Sequence, residues 1–203
     1  MTPAPRPRPA PPPARRALAA LALGAAALAA PAGCGSGASP PEPEPCDQTC
    51  LDTGALRSLR ETVKLAFNLT LQGKPVGAHD VTVPCPFGGS VRVYGAAYSN
   101  PVQGATEVTL TYELAQCAYM QRDSEALENY GMALTGVLTQ EGTIAVQPTA
   151  TTALLMKSES MSFAGTVYDP PLAYEEPACP LDIVQNGARL TGTICGREAG
   201  YEL

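Results

Sequence analysis

The sequence predicts a mostly β domain with one N-terminal helix, an α+β fold in which an antiparallel meander sheet packs on an amphipathic helix and disulfides staple the strands. Three observations lead to this expectation. From Val81 onward apolar and polar residues alternate with a period of two, as in a sheet with one solvated face. Just before that region, apolar residues recur at helical spacing. Six cysteines follow residue 45, with turn signals midway between two of the pairs.

The N-terminal helix is expected over residues 52–67. Its apolar face carries four residues at helical spacing, Leu56, Leu59, Val63 and Phe67. Asp52 or Thr53 can cap the start, because a short polar side chain accepts a hydrogen bond from the first free backbone N–H groups. The residues that follow also alternate as in a strand, so the end of the helix can pass directly into one before the Gly-Lys-Pro sequence at 73–75.

The strands are expected to start near Val81 and to continue at 90–98, 107–114, 130–139, 152–158, 161–168, 181–185 and 188–195. Turn candidates are residues 140–142 and 157–160. Residues 122–129 are expected to form a surface loop or a short helical turn, and the prolines around Glu175 and Glu176 predict an extended, solvated loop. Because most connections are short, neighbours in sequence should pair in a meander.

Two cysteine pairs are symmetric about turn signals. Cys179 and Cys195 are equally far from Gly187, which belongs to the Asn-Gly hairpin signal at 186–187. Cys85 and Cys117 are equally far from Pro101, which ends the turn signal Ser-Asn-Pro at 99–101. Residues that face each other across a hairpin lie symmetrically about its turn. Each pair is therefore predicted to form a disulfide at the open end of its own hairpin.

The remaining pair, Cys46 and Cys50, is separated by one helical turn. Two Cα atoms four residues apart in a helix are about 6 Å from each other, which a disulfide tolerates. The alternative is a metal site, since the spacing is compatible with zinc ligands. His79 is the only histidine, however, and an oxidising compartment favours disulfides. No metal and no cofactor are expected.

Four glycines stand in the middle of predicted strands, each flanked two residues away by apolar side chains: Gly95, Gly136, Gly165 and Gly192. Glycine within a strand usually marks a bend or the close approach of another element. Together these glycines predict a shallow trench on the core side of the sheet. Either the amphipathic helix fills it, or an apolar ligand such as an acyl chain does, with the helix as a lid.

The first 33 residues have the organisation of an export signal. Four arginines and no acidic residue come first, Ala and Leu make up nearly all of residues 17–30, and small residues precede Cys34. The apolar run is well short of the roughly 20 residues that span a bilayer. In Ala32-Gly33-Cys34 the chain resembles bacterial lipoproteins, in which a lipobox cysteine is acylated and becomes the new N-terminus. The resemblance covers the leader alone.

One position of the leader departs from the lipobox pattern. Pro31 stands where that family usually has a leucine-like residue. Cleavage by signal peptidase I near Ala30 or Ala32 is therefore the alternative to lipidation. The pair Arg15 and Arg16 hints at twin-arginine export, although its surroundings fit that pattern poorly.

Residues 34–45 are expected to join the lipid anchor to a single folded domain, residues 46–203. Gly and Ser followed by alternating Pro and Glu cannot bury apolar surface, and proline stiffens the segment into a spacer. The resemblance places the protein in the cell envelope, held to a membrane by its N-terminal lipid. Gly35 after the lipid cysteine is compatible with sorting to the outer membrane, with the domain in the periplasm or at the cell surface.

The net charge of the chain limits the classes of partner that it is expected to bind. Loss of the leader arginines leaves nine basic residues against 19 acidic ones, a formal net charge of −10. A chain this acidic with dispersed cations is not expected to bind nucleic acid or anionic lipid surfaces.

No catalytic constellation is recognisable, since His79-Asp80 is the only place where a carboxylate could orient a histidine. The sequence thus favours a non-enzymatic envelope lipoprotein module with a structural or protein-interaction role and an unidentified envelope partner. The alternative is a carrier or binder of an apolar ligand, held between the curved sheet and the helix.

Overall fold

The computed structural model describes residues 45–74, 76–100, 102–146 and 151–203. These residues form one eight-stranded antiparallel sheet and one long helix, as the sequence predicts. The leader, the lipidation candidate Cys34 and all of the tether except Pro45 lie outside the described residues.

Helix α1 spans Gln48–Leu71 and is longer at both ends than predicted. The Asp47 side chain caps it by accepting a hydrogen bond from the Cys50 N–H at 2.9 Å, so neither Asp52 nor Thr53 is the cap. At the other end Leu69 and Leu71 remain helical, and the expected passage into a strand is wrong. Leu71 is buried and Thr70 donates its hydroxyl to the Ala66 carbonyl at 2.7 Å, contacts that a strand would lose.

Eight strands follow: β1 (Gly77–Pro84), β2 (Ser90–Asn100), β3 (Ala105–Gln121), β4 (Tyr130–Ala145), β5 (Ala153–Val167), β6 (Leu172–Asn186), β7 (Arg189–Ile194) and β8 (Arg197–Glu202). Each pairs antiparallel with the next along the chain, which confirms the meander. A single turn of 3-10 helix, Ala126–Glu128, lies between β3 and β4, where the sequence predicts a loop or a short helical turn.

Most strands are longer than predicted and contain irregularities, whereas β7 is shorter than the predicted 188–195. Residues 140–142 belong to β4 and are not a turn. Residues 157–160 lie inside β5, where the register shifts between Ser158 and Met161, so a bulge stands in place of the predicted turn. The predicted loop around Glu175 is part of β6, and β8 was not predicted at all.

The sheet curls around the helix. α1 packs against β1 through β6 and against β8. Strands in a sheet lie about 4.8 Å apart and a helix is only about 10 Å wide, so one helix reaches that many strands only if the sheet bends over it. Leu56 and Leu59 on the helix and Tyr112 in β3 are fully buried in the single core that results. The helix therefore occupies the core side of the sheet.

The four mid-strand glycines permit close approach between strands. A Cβ on Gly192 would lie 2.0 Å from the Asp182 carbonyl oxygen in β6, and one on Gly95 would lie 2.1 Å from the Thr109 carbonyl oxygen in β3. Their φ angles, +151° and +129°, also favour glycine. The nearest atoms around Gly136 and Gly165 belong to neighbouring strands as well.

Close approach between helix and sheet occurs at a different glycine. A Cβ on Gly54 in α1 would lie 2.9 Å from the Cβ of Val167 in β5. The nearest atoms around the four mid-strand glycines belong to neighbouring strands, and the trench expected at these glycines stays a prediction.

The three predicted disulfide pairings are confirmed. Their Cα atoms are 5.2 Å apart for Cys46–Cys50, 5.3 Å for Cys85–Cys117 and 4.2 Å for Cys179–Cys195. Cys85 follows β1 directly, so its bond ties the β1–β2 turn to β3. Cys195 follows β7 and closes the open end of the β6–β7 hairpin.

Candidate functional site: a groove beside the helix

A groove of about 390 Å³ lies between the C-terminal half of α1 and the inner face of β4, β5 and β6. Seven apolar residues line it: Val63, Phe67, Ile144, Ala145, Val146, Leu154 and Met156. The sequence produces this surface in two ways. Val63 and Phe67 are four residues apart on one helical face, and Leu154 and Met156 are two residues apart on one face of β5.

Two buried amides lie in the same lining. Gln140 on β4 and Gln185 on β6 are 5% and 6% exposed. The Oε1 atom of Gln140 accepts a hydrogen bond from the Tyr112 hydroxyl at 2.7 Å, and the Nε2 atom of Gln185 donates to the Gly187 carbonyl at 3.1 Å. Burial raises the pKa of Tyr112, so this hydroxyl stays protonated and able to donate. Gln140 is thus held with its Oε1 engaged, and its Nε2 is the group left for a ligand.

The cationic side chains in the lining are Arg60 and Lys64, on the polar side of α1. Both pair with Glu61: Lys64 Nζ lies 3.3 Å from Glu61 Oε2, and Arg60 Nη1 bonds Glu61 Oε1. Glu61 itself lines a neighbouring polar groove, while the groove beside Phe67 has no carboxylate in its lining. Arg60 and Lys64 thus share one carboxylate by direct contact, and they are the charged side chains in the lining of the apolar groove.

Two larger depressions differ from this groove in their lining. One of about 790 Å³ runs along β7 and β8 and is lined mostly by threonine, glycine and charged side chains. Another of about 710 Å³ covers the bulge between β4 and β5. Ligand sites are usually apolar with a few placed polar groups, and the groove beside the helix fits that description best.

An ionic cluster around the buried Asp52 fixes the other end of the helix. Asp52 is 1% exposed, and Arg197 of β8 donates to it twice, from Nε to Oδ2 at 2.7 Å and from Nη2 to Oδ1 at 2.8 Å. Tyr174 Oη and Gln48 Nε2 also donate to Oδ1, at 2.8 and 3.0 Å. Arg197 Nη2 reaches Glu176 as well, at 2.8 Å. Such a bidentate pair fixes the helix to the last strands.

The pKa of the Asp52 carboxyl group is determined by its burial and by these contacts. Burial alone raises the pKa of a carboxyl group. Hydrogen bonds from Arg197, Tyr174 and Gln48, together with the charge of Arg197, outweigh burial and hold the pKa of Asp52 below its usual value. Asp52 is therefore ionised at neutral pH.

The predicted site residues are not gathered in one place. The six cysteines form their three bonds at separate points of the domain. None of the four mid-strand glycines lines the groove. His79 lies in β1 opposite Gly95, partly buried.

The groove and the cluster were missed for different reasons. The sequence predicts a turn at Gln140, whereas its side chain is buried within β4. The sequence does indicate that Asp52 has a partner. It lies four residues before Leu56, on the apolar face of the helix, where a charged side chain needs an opposite charge.

No protein family, curated protein or solved structure matches this chain. Within the described residues, no three His, Cys, Asp or Glu side chains converge so as to hold a metal ion. The one long helix of that part of the chain is not apolar enough to cross a membrane.

Proposed function

We propose that the protein is a non-enzymatic cell-envelope lipoprotein whose folded domain serves as a structural or protein-interaction module. The observation that supports this most is the occupation of the core side of the sheet by the protein's own helix. Leu56 and Leu59 are fully buried there, and the Asp52–Arg197 pair holds the helix in place. Because the helix covers the core side of the sheet, the surfaces that recognise a partner lie on the outside of the domain.

The anchor completes the proposal. Cys34 carries the lipid, residues 35–45 act as a spacer, and the domain meets an envelope partner on the periplasmic or outer side of the membrane. Three disulfides suit an oxidising compartment of this kind. Outer-membrane sorting is the favoured destination, and neither nucleic acid nor a cofactor takes part.

The anchoring half of the proposal is tested with a Cys34→Ser variant. The unchanged protein should fractionate with membranes and release only with detergent, whereas Cys34→Ser should lose the acyl chains and the membrane association. A variant with Ser at both Cys46 and Cys50 is the control, since it also loses cysteines but keeps Cys34. Equal membrane association of Cys34→Ser and the unchanged protein would contradict the lipid anchor.

A second candidate function is the binding of an apolar ligand. The observation that favours it is the groove beside Phe67, where the helix does not fill the sheet completely. A photoreactive amino acid at Ile144 in the groove, compared with one at the exposed Phe87, separates the two functions in intact cells. Crosslinks to lipid at position 144 alone support a carrier, and crosslinks to protein at position 87 alone support an interaction module.

A further inference from the structure

We propose that the groove beside the C-terminal half of α1 binds a fatty-acid anion, with the acyl chain on Phe67, Ile144 and Leu154 and the carboxylate at Arg60 and Lys64. This inference rests on the second candidate function and names the class of ligand for that same groove. The module function does not depend on it.

The volume of the groove suits one acyl chain. Its volume of about 390 Å³ lies at the small end of the range for small-molecule sites, which runs from about 300 to about 1,000 Å³. Phe67 and Ile144 are only partly buried by the protein itself, so an acyl chain laid against them removes further apolar surface from water.

The charge of the groove selects the head group. The mature chain is strongly acidic, yet the lining contains Arg60 and Lys64 and no carboxylate. Glu61 pairs with both cations from the adjoining groove, where Glu128 and Glu202 also lie, so the carboxylates stand on one side of these cations and the apolar groove on the other. Guanidinium and ammonium donors bind a carboxylate through charge-assisted hydrogen bonds. An anionic head is therefore favoured over a neutral or cationic one.

Gln140 adds an independent polar contact. The residue is 5% exposed, lies in the lining, and has its Oε1 occupied by Tyr112. A ligand oxygen in the groove would accept a hydrogen bond from the Nε2 atom of Gln140. A polar group on the ligand thus has a donor at the wall of the groove as well as cations at the rim.

The test uses three probes with the same chain and different heads: dodecanoate, dodecanol and dodecyltrimethylammonium. Binding to the full oxidised domain is measured by isothermal titration calorimetry below the micelle-forming concentration of each probe. We expect saturable binding of one dodecanoate per chain, with dodecanol at least about fivefold weaker and the cation weaker still. No binding of dodecanoate, or equal binding of all three probes, overturns the proposal.

Variants locate the site. Lys64→Gln should weaken dodecanoate about fivefold and leave dodecanol unchanged. Ile144→Trp, which enlarges an apolar side chain in the lining, should abolish binding of both probes. Lys157→Gln is the matched control, because Lys157 pairs with Asp182 outside the groove and the variant makes the same charge change.

Two results with these variants would contradict the fatty-acid proposal. Tight dodecanoate binding by Ile144→Trp, or equal losses in Lys64→Gln and Lys157→Gln, would place the ligand elsewhere and overturn the proposal. Should Ile144→Trp fail to fold, judged by its thermal transition, Lys64→Gln against Lys157→Gln still decides the matter. The acylation of Cys34 is measured separately and is not affected by either outcome.

Discussion

Arg197 of the last strand holds Asp52 of the helix through two parallel hydrogen bonds, across 145 residues of chain. The two partners differ in exposure: the Asp52 side chain is 2% exposed and that of Arg197 is 37% exposed. Because of this difference, loss of Arg197 and loss of Asp52 should lower the free energy of unfolding by different amounts.

Arg197→Met should destabilise the domain more than Asp52→Asn. Removal of the arginine leaves a buried carboxylate without its cation, and we expect a loss of about 3 kcal/mol in the free energy of unfolding, the low end of the usual range because Arg197 is partly solvated. Asp52→Asn leaves an arginine that still reaches water and Glu176, and should cost about 1–2 kcal/mol. Urea titration followed by circular dichroism measures both.

The control for this comparison is Arg92→Met. Arg92 makes the same kind of bidentate pair with Asp80, at 2.8 Å for each bond, but both partners are exposed. Its loss should be much smaller than that of Arg197. A loss for Arg92→Met as large as that for Arg197→Met, or a larger loss for Asp52→Asn, would contradict this role of the Asp52–Arg197 pair.

Acid should weaken the Asp52–Arg197 pair. The folded-state pKa of Asp52 is lowered, so the unfolded chain binds a proton more readily than the folded one, and stability falls as pH falls. The contribution is complete above the unfolded pKa of about 3.9 and is lost as pH drops through the lower folded value. Thermal unfolding midpoints between pH 7 and pH 2 should therefore change most below about pH 4.

Two substitutions test whether Asp52 causes the loss of stability at low pH. Asp52→Asn should flatten the midpoint curve at low pH, because its side chain does not titrate. Asp80→Asn should leave most of the curve in place: hydrogen bonds from Arg92 lower the pKa of Asp80 as well, but that pair is exposed. If the two variants flatten the curve equally, Asp52 is not the dominant group.

Alanine should be poorly tolerated at Gly192 and well tolerated at Gly131. The new Cβ at position 192 would lie 2.0 Å from the Asp182 carbonyl oxygen at a φ of +151°, whereas at position 131 the nearest atom is 3.7 Å away. We expect Gly192→Ala to cost about 2–3 kcal/mol or to prevent folding, and Gly131→Ala to change stability by less than about 1 kcal/mol. Chemical denaturation gives both values. A tolerated Gly192→Ala would show that the strands can separate there.

The disulfides should rank by the length of the loop each one closes. Sequence separations are 32 for Cys85–Cys117, 16 for Cys179–Cys195 and 4 for Cys46–Cys50. In the chain-entropy description their removal costs about 4, about 3 and about 2 kcal/mol. Paired Cys→Ser variants, each measured by denaturant titration, test the order. A larger loss for the Cys46–Cys50 variant than for the Cys85–Cys117 variant would indicate that this bond acts through native contacts at the helix start.

The meander and the disulfides could be predicted because they depend on local signals. Alternation placed the strands, and the symmetry of Cys179 and Cys195 about the Asn-Gly turn gave a correct pairing. Bulges gave no comparable signal. At 157–160 the polar residues suggested a turn, yet the backbone continues as β5 because one strand can hold extra residues against its neighbour.

The groove could not be predicted, since it depends on distances that no local pattern contains. Gln140, Met156 and Gln185 come from three strands, where the register sets Gln140 opposite Met156 and Gln185 opposite Leu154, and the helix lies beside them. The position of Asp52 on the apolar face of α1 was visible, but its partner Arg197 lies in a strand too short and too polar to stand out. Partners so distant in sequence are set by tertiary packing.

The measurement that tests the account most directly is the intact mass of the membrane-purified protein, before and after reduction with thiol labelling. A chain that begins at Cys34 and carries three acyl chains, with six thiols that react only after reduction, is the predicted result. An unacylated chain that begins elsewhere, or thiols that react in the native protein, would contradict the anchored and disulfide-bonded module.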